Sequence, residues 1–318
     1  MKIGVIGTIN RDSIRLADGT RKEAWGGILY NLITLSYLLG DKAGIFPVCN
    51  VGADHYTEIM AILKSLPGVR TEYIKKVPEN NNHCFLTYLD KENKHEILKG
   101  GVRPLVFDDI KALTGCNFIL VNYISGRDLH LSSLKKLRDI YQGKIYIDIH
   151  SYTLGRKKGG ARFIRRPQLW PTVVDCADYV QMNRLELAVL ARNIRSEKNI
   201  GDFLDDDLKT IIVRLKRDGI SVESKVIIIT DSGRGCYLVD DCRKMQYKRH
   251  LGVEDGNTHN GVDQKNATGC GDCFAAGFVA GLTRHLSLFN CSIAGNAAGQ
   301  NRVIDHRKTY SILDKTIQ

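Results

Sequence analysis

Residues 264–278 read QKNATGCGDCFAAGF, with two cysteines, Cys270 and Cys273, in a CxxC spacing. The stretch has two readings. One makes the cysteines a redox pair or half of a zinc site. The other makes it a glycine turn opening a helix, with the cysteines incidental. Structural zinc takes four ligands, often as two close pairs. The companion pair here, Cys236 and Cys242, is spaced wider than the usual knuckle. The nine cysteines are odd in number and scattered, as expected of free thiols in a reducing compartment. The glycine reading has more behind it. Gly269 and Gly271 flank one small residue, and an Ala-rich apolar run follows at once. Glycines before a helix leave its first amides open, and the helix dipole turns its positive end there. That makes an anion site from backbone alone. Asp272 then falls in the first turn, beside the anion. A carboxylate repels a phosphate, so its presence needs a reason, and the natural one is to take the proton from a hydroxyl attacking phosphorus. An ordinary turn with Asp at a helix start also fits these residues. No GxxxxGK[ST] occurs, which excludes P-loop chemistry.

Composition sets the bounds. The 318 residues are 43% hydrophobic and 25% charged, normal for a globular α/β unit. The formal charge of +11 favours polyanionic partners without choosing among them. No apolar run approaches a membrane span and MKIGVIGTIN is no signal peptide, so a cytoplasmic protein without membrane contact is expected.

Outward from the glycine turn, the chain alternates. KIGVIG (2–7), KAGIFPVCNVG (42–52), NFILV (117–121), KIYIDIH (144–150), ADYVQMN (177–183) and KVIIIT (225–230) read as strands. GGILYNLITLSYLLG (26–40), DHYTEIMAILKSL (54–66, opened by an Asp cap), LHLSSLKKLRDIY (129–141) and FLDDDLKTIIVRLKRDG (203–219) read as helices, as do 271–283 and 287–303. CYLVD and KMQYKRH read as a hairpin. Such alternation predicts βαβ units and a mainly parallel sheet. Residues 70–100 differ, alternating apolar and polar residues around polar turns, which predicts short antiparallel strands with one wet face. From Ile149 to Val174 there is no acidic residue, while Arg156, Lys157, Lys158, Arg162, Arg165 and Arg166 are basic. This is a solvated loop or a site for a phosphate-bearing ligand. No nucleic-acid fold signature accompanies it, so nucleic acid is not the expected partner.

The stretch NATGCGDCF resembles the late motif of the ribokinase-like (PfkB) carbohydrate and nucleoside kinases. Other landmarks fall in order: GTINRD (7–12), GGILYN (26–31), NVGADHY (50–56), NRLE (183–186) and TDSGRG (230–235). Each is weak alone; together they span nearly the whole chain. The resemblance implies a single ribokinase-like three-layer α/β/α domain over 1–318, with 70–100 supplying most of a small β lid through which two copies pair. It implies ATP-dependent phosphorylation of a hydroxyl on a sugar or nucleoside. Asp272 would be the base, with Gly269, Cys270 and Gly271 as the anion hole. Asn10, Asp12, Gly26, Gly27 and Asn31 would hold the acceptor. Asn183, Thr230, Ser232, Gly233, Gly235 and Asn296 would line the nucleotide, and Glu186 would hold Mg²⁺ through water. The pair Asn183 and Glu186 also fits a plain helix cap. Departures mark a divergent member. Asn266 replaces the Asp that shapes the family's monovalent-cation site, so potassium activation does not carry over. Ser232 replaces Gly, His150 replaces Asn, and Ile28, Leu29 and Tyr30 are bulky after Gly-Gly. The alternative function is a catalytically weak regulatory relative that binds nucleotide or sugar.

Overall fold

Strand β1 (Lys2–Ile6) buries Ile3, Val5 and Ile6 completely, because both its faces are covered. The computed structural model that shows this describes residues 1–89, 94–196, 203–240, 244–248 and 268–304. The chain continues as β2 (Ile9–Arg15), β3 (Arg21–Gly27), α1 (Ile28–Leu39), β4 (Gly44–Gly52) and α2 (Tyr56–Lys64). Then follow β5 (Ile74–Val77), β6 (His83–Tyr88), β7 (Lys94–Lys99), the single-turn α3 (Phe107–Ile110), β8 (Phe118–Asn122) and α4 (Leu131–Ile140). After β9 (Lys144–Asp148) come the paired strands β10 (Leu154–Arg156) and β11 (Arg162–Ile164), then α5 (Trp170–Asp175), β12 (Tyr179–Asn183), α6 (Arg184–Arg192) and α7 (Leu204–Arg217). The chain closes with β13 (Val226–Thr230), β14 (Cys236–Asp240), β15 (Lys244–Lys248), α8 (Cys270–Thr283) and α9 (Leu288–Ile304).

Among the described residues, nine strands form the central sheet in the order β15-β14-β13-β12-β9-β8-β1-β4-β5. Pairing is parallel from β13 to β5 and antiparallel only where β14 and β15 return as a hairpin. Helices cover both faces. One core gathers Leu134, Trp170, Leu187 and Ile211 from α4 to α7; the other gathers Leu32, Ile59, Phe278 and Cys291 from α1, α2, α8 and α9. The α8–α9 contact is close because α8 carries glycines there: a Cβ at Gly277 would lie 2.6 Å from the Ala294 carbonyl oxygen. Among the described residues, no helix is long and apolar enough to cross a membrane.

Several sequence expectations shift. The Gly-Gly pair opens α1 as expected, with Gly27 as its N-cap and Gly40 closing it, but the pair also ends β3, a strand not expected there. Helix α2 begins at Tyr56 without the expected Asp cap, because the Asp54 carboxylate instead accepts the Asn81 backbone N–H at 2.9 Å. The segment 70–100 does not supply most of the small sheet. Its β5 pairs parallel with β4 and is the edge of the central sheet, held there by buried Ile74 and Val77. The four-stranded small sheet runs β3-β2-β6-β7, so half of it comes from residues 9–27. Strand β2 escapes a hydrophobic-alternation reading because its buried face carries Asn10 and Asp12 beside Ile14. The basic segment is not a loop either. Strands β10 and β11 dock on the small sheet through an Ile97–Ala161 bridge, and buried Arg162 lies 3.6 Å from Glu96.

Buried Asp128 fixes where the chain passes from β1 of the central sheet to β2 of the small sheet. Its carboxylate accepts from Thr8 Oγ1 (2.8 Å), Ser125 Oγ (3.0 Å) and the amides of Ser125 (2.9 Å) and Gly126 (3.0 Å). Burial pushes this carboxyl upward and those bonds oppose it. Asp128→Ala orphans several buried donors at once, each worth about 1–3 kcal/mol. A loss of about 3 kcal/mol or more in urea unfolding is expected. A loss below about 1 kcal/mol would show that the loop re-forms its bonds elsewhere.

Candidate active site

Helix α8 opens at the glycine turn. Gly269 is its N-cap in a left-handed conformation (φ 87°), which a residue with a Cβ rarely adopts. The first intrahelical bond is made by the Cys273 amide, to the Gly269 carbonyl, so the amides of Cys270, Gly271 and Asp272 precede the helical ladder. The expected anion-hole residues therefore sit together at a positive helix end. Cys270 is half-buried and Cys273 buried, neither is in a disulfide with another described cysteine, and the described residues contain no group of three or more His, Cys, Asp or Glu arranged to hold a metal ion directly.

Asp272 is buried (4% exposed) and held in a polar network. Asn122 Nδ2 donates to Asp272 Oδ1 at 2.8 Å, and also to Asn31 Oδ1 at 3.1 Å. Asn31 Nδ2 donates to the Asp272 carbonyl at 2.7 Å. Asn31 is thus fully buried behind the aspartate, with its amide holding the first turn of α8. Gln181 Nε2 braces the same turn, donating to the Gly271 carbonyl (3.1 Å) and to Asp148 Oδ2 (2.9 Å), while Tyr146 holds Gln181 Oε1 at 2.6 Å. Burial pushes the Asp148 carboxyl well above the usual range, and nearby Glu186 and Asp272 push it further. Asn122, Gln181 and Asp148 were absent from the sequence-based site. Their signal is a polar residue inside or ending an apolar parallel strand (FILVN, YVQMN, KIYID), at the carboxyl ends where open α/β sheets bind ligands.

His150 reaches this network as well. Its Nδ1 accepts the Ser151 amide at 2.7 Å, so the neutral ring carries its proton on Nε2, which lies 4.0 Å from Asp272 Oδ1. The residue has φ 36°, in the left-handed region that costs most side chains about 1–2 kcal/mol. His150→Asn suits that backbone better but removes the proton facing Asp272. Turnover should fall about tenfold, which is about 1.4 kcal/mol of transition-state stabilisation. Unchanged turnover would make His150 a turn residue only.

Asn183 and Glu186 form a reciprocal cap on α6. Glu186 Oε2 accepts the Asn183 amide, Glu186 Oε1 accepts Asn183 Nδ2, and Asn183 Oδ1 accepts the Glu186 amide, each at 2.8 Å. The cap turns a buried carboxylate toward the Asp148 end of the sheet. Such a hydrogen-bonded carboxylate suits Mg²⁺ held through water and phosphate oxygens, since Mg²⁺ keeps most of its waters. Thr230 ends β13 and leads into a turn where the Asp231 amide donates to the Gly235 carbonyl at 2.8 Å. Within that turn Ser232 has φ 47° and Gly235 φ 103°. Asn296, on α9, donates to Cys236 Sγ at 3.9 Å.

The acceptor-side residues lie on the small sheet. Asn10 and Asp12 are buried on β2, with Asn10 opposite Gly26 and Ile9 opposite Gly27 in β3. Gly26 makes room for a carboxylate: a Cβ there would lie 2.0 Å from Asp12 Oδ2. Gly27 has φ 67° and passes close to the Thr8 carbonyl on its way into α1. The small sheet touches the glycine turn through Tyr88, whose hydroxyl is 3.3 Å from Thr268 Oγ1. Asn266 lies outside the described residues.

The profile of the pfkB family carbohydrate kinases matches residues 156–315. No curated protein matches the sequence. Solved structures similar to this one include the ribokinase of Cryptococcus neoformans var. grubii in complex with ADP, at TM-score 0.72 and 17% identity over 99% of each chain. A pyrophosphate-dependent kinase in the ribokinase family reaches TM-score 0.72 at 16% identity, over 96% of this chain and 95% of the other. A Burkholderia thailandensis nucleoside kinase in complex with inosine reaches 0.66 at 14% identity, over 98% and 93%. At such identities the likeness establishes a ribokinase-type fold.

Proposed function

The chain belongs to the pfkB family of carbohydrate kinases, and on that premise we propose that it transfers the terminal phosphoryl group of ATP to a hydroxyl of a sugar or nucleoside. The observation that carries the reading is Asp272, buried in the first turn of α8 and directly beside three amides that precede the helical ladder. Phosphoryl transfer asks for positioning and for charge stabilisation on the transferring group. The amides of Cys270, Gly271 and Asp272 with the α8 dipole supply the charge. Asp272 takes the hydroxyl proton as the new O–P bond forms and the bond to the leaving ADP breaks. The Asn122 bond keeps one carboxylate oxygen fixed while the other faces the acceptor.

Asn10 and Asp12 hold the acceptor's hydroxyls from the small sheet. That sheet closes on the site as a lid through the Tyr88–Thr268 contact and offers its outer strands for pairing with a second copy. The nucleotide lies along Thr230, Ser232, Gly233 and Gly235, under Asn296 of α9. Asn183 and Glu186 hold the waters of Mg²⁺, which when bound neutralises phosphate charge.

The test is ADP release over a panel of sugars, polyols and nucleosides, with pyrophosphate as a second donor. Turnover with at least one hydroxyl acceptor is expected. ATP binding with no turnover for any acceptor would favour the regulatory relative instead.

A further inference from the structure

The basic segment does not act as one unit. Arg156 and Arg162 turn toward the small sheet, where Arg156 Nη2 donates to the Gly100 carbonyl at 3.1 Å and Arg162 meets Glu96. Arg165 and Arg166 turn the other way. With Arg195 beyond α6 and Arg214 of α7 they line a cavity of about 580 Å³, closed by Phe163 and Trp170. Among the described residues it shares no lining residue with the candidate active site.

The described lining of this cavity carries four guanidinium groups and no carboxylate. Arg214 is paired with Asp218 at 2.8 Å on one side. Arg166 lies over the Trp170 ring at 5.9 Å, within the reach of a cation–π contact. Partial burial and the neighbouring charges of Arg214 and Arg217 make it harder for Arg166 to hold its proton. Like charges drawn into one concavity repel one another, and the concavity focuses their field. The cost is offset when an anion enters. Guanidinium forks match phosphate oxygens two at a time, and a cavity of this size suits a small molecule rather than a polymer.

We propose that this cleft is a second binding site, separate from the phosphoryl-transfer site, for a small phosphorylated anion carrying at least two negative charges. Arg165, Arg166 and Arg195 grip the phosphate oxygens, and exposed Phe163 packs against the rest of the ligand, with buried Trp170 forming the floor beneath. The Arg165 amide donates to the Thr153 carbonyl at 2.8 Å, so the grip is anchored to the backbone next to β10.

Trp170 is a local reporter, because the chain has only one other tryptophan, Trp25 on the small sheet. In a Trp25→Phe background, pyrophosphate titrated at constant ionic strength should change Trp170 emission saturably. Arg165→Gln with Arg195→Gln, both exposed side chains, should weaken that response about tenfold or more, as should Arg166→Gln alone. Circular dichroism checks that each variant is folded. An unsaturable response, or one equally strong in the double variant, overturns the site. So does tight, steeply salt-dependent binding of a single-stranded oligonucleotide with no pyrophosphate response, which would assign the arginines to a polymer.

Discussion

Asp272→Asn should lower turnover about 10²- to 10⁴-fold, the range that a positioned general base contributes, while leaving ATP affinity and stability nearly unchanged. The substitution keeps the shape of the side chain. Asn122 Nδ2 still meets an oxygen, since the new amide can present its carbonyl to the donor that now sits 2.8 Å from Oδ1. Asn31 is untouched because its partner is the backbone carbonyl of residue 272. Only proton uptake is lost. Asp272→Ala is the coarser control: it also strands the Asn122 donor, so it should cost stability of about 1–3 kcal/mol as well. An Asp272→Asn enzyme whose kcat stays close to that of the parent would remove Asp272 from the base role. It would move attention to Asp148, the carboxylate that the Gln181 brace holds.

The central sheet was legible because parallel strands buried on both faces read as continuous apolar runs, as in VIIIT and FILVN. The glycine turn was legible because it needs two glycines and a small residue before an apolar helix. What the sequence hid follows one physical pattern: residues serving the site break the periodicity that reveals structure. Asn10 and Asp12 occupy the buried face of β2, so no strand was read there and the small sheet seemed to come from 70–100. Asn31 looked like an acceptor ligand, whereas its position behind Asp272 became visible only when α1 packed on α8. Asn122 and Gln181 are far from the glycine turn in sequence and reach it only through the order of strands, which local pattern does not encode. The basic segment was read as one charge run, yet the β10–β11 pairing sends its two ends to different sites.

Gly269→Ala should be nearly as damaging as the loss of Asp272, by a different route. The φ of 87° excludes a Cβ without strain, and that Cβ would lie 2.6 Å from Cδ2 and Cε2 of Tyr30. Tyr30 is buried and cannot swing into solvent without cost. The bulky residue after Gly-Gly therefore fills the space that the missing side chain at 269 leaves, and the two positions depend on each other. An alanine forces the first turn of α8 to tilt, and the amides of Cys270 and Gly271 then miss the phosphoryl oxygens. Misplacing one such donor costs about 10²–10³ in kcat, with about 1–3 kcal/mol of stability lost to strain and overpacking. The steric and backbone shares separate in a double-mutant cycle. Tyr30→Ala in the Gly269→Ala background should return the overpacking share of stability, while kcat stays low because the left-handed turn is still refused. Full recovery of kcat in the double variant would show that the Tyr30 clash alone displaced the turn. Wild-type kcat in Gly269→Ala itself would show that the amides at this helix start do not hold the transferring group.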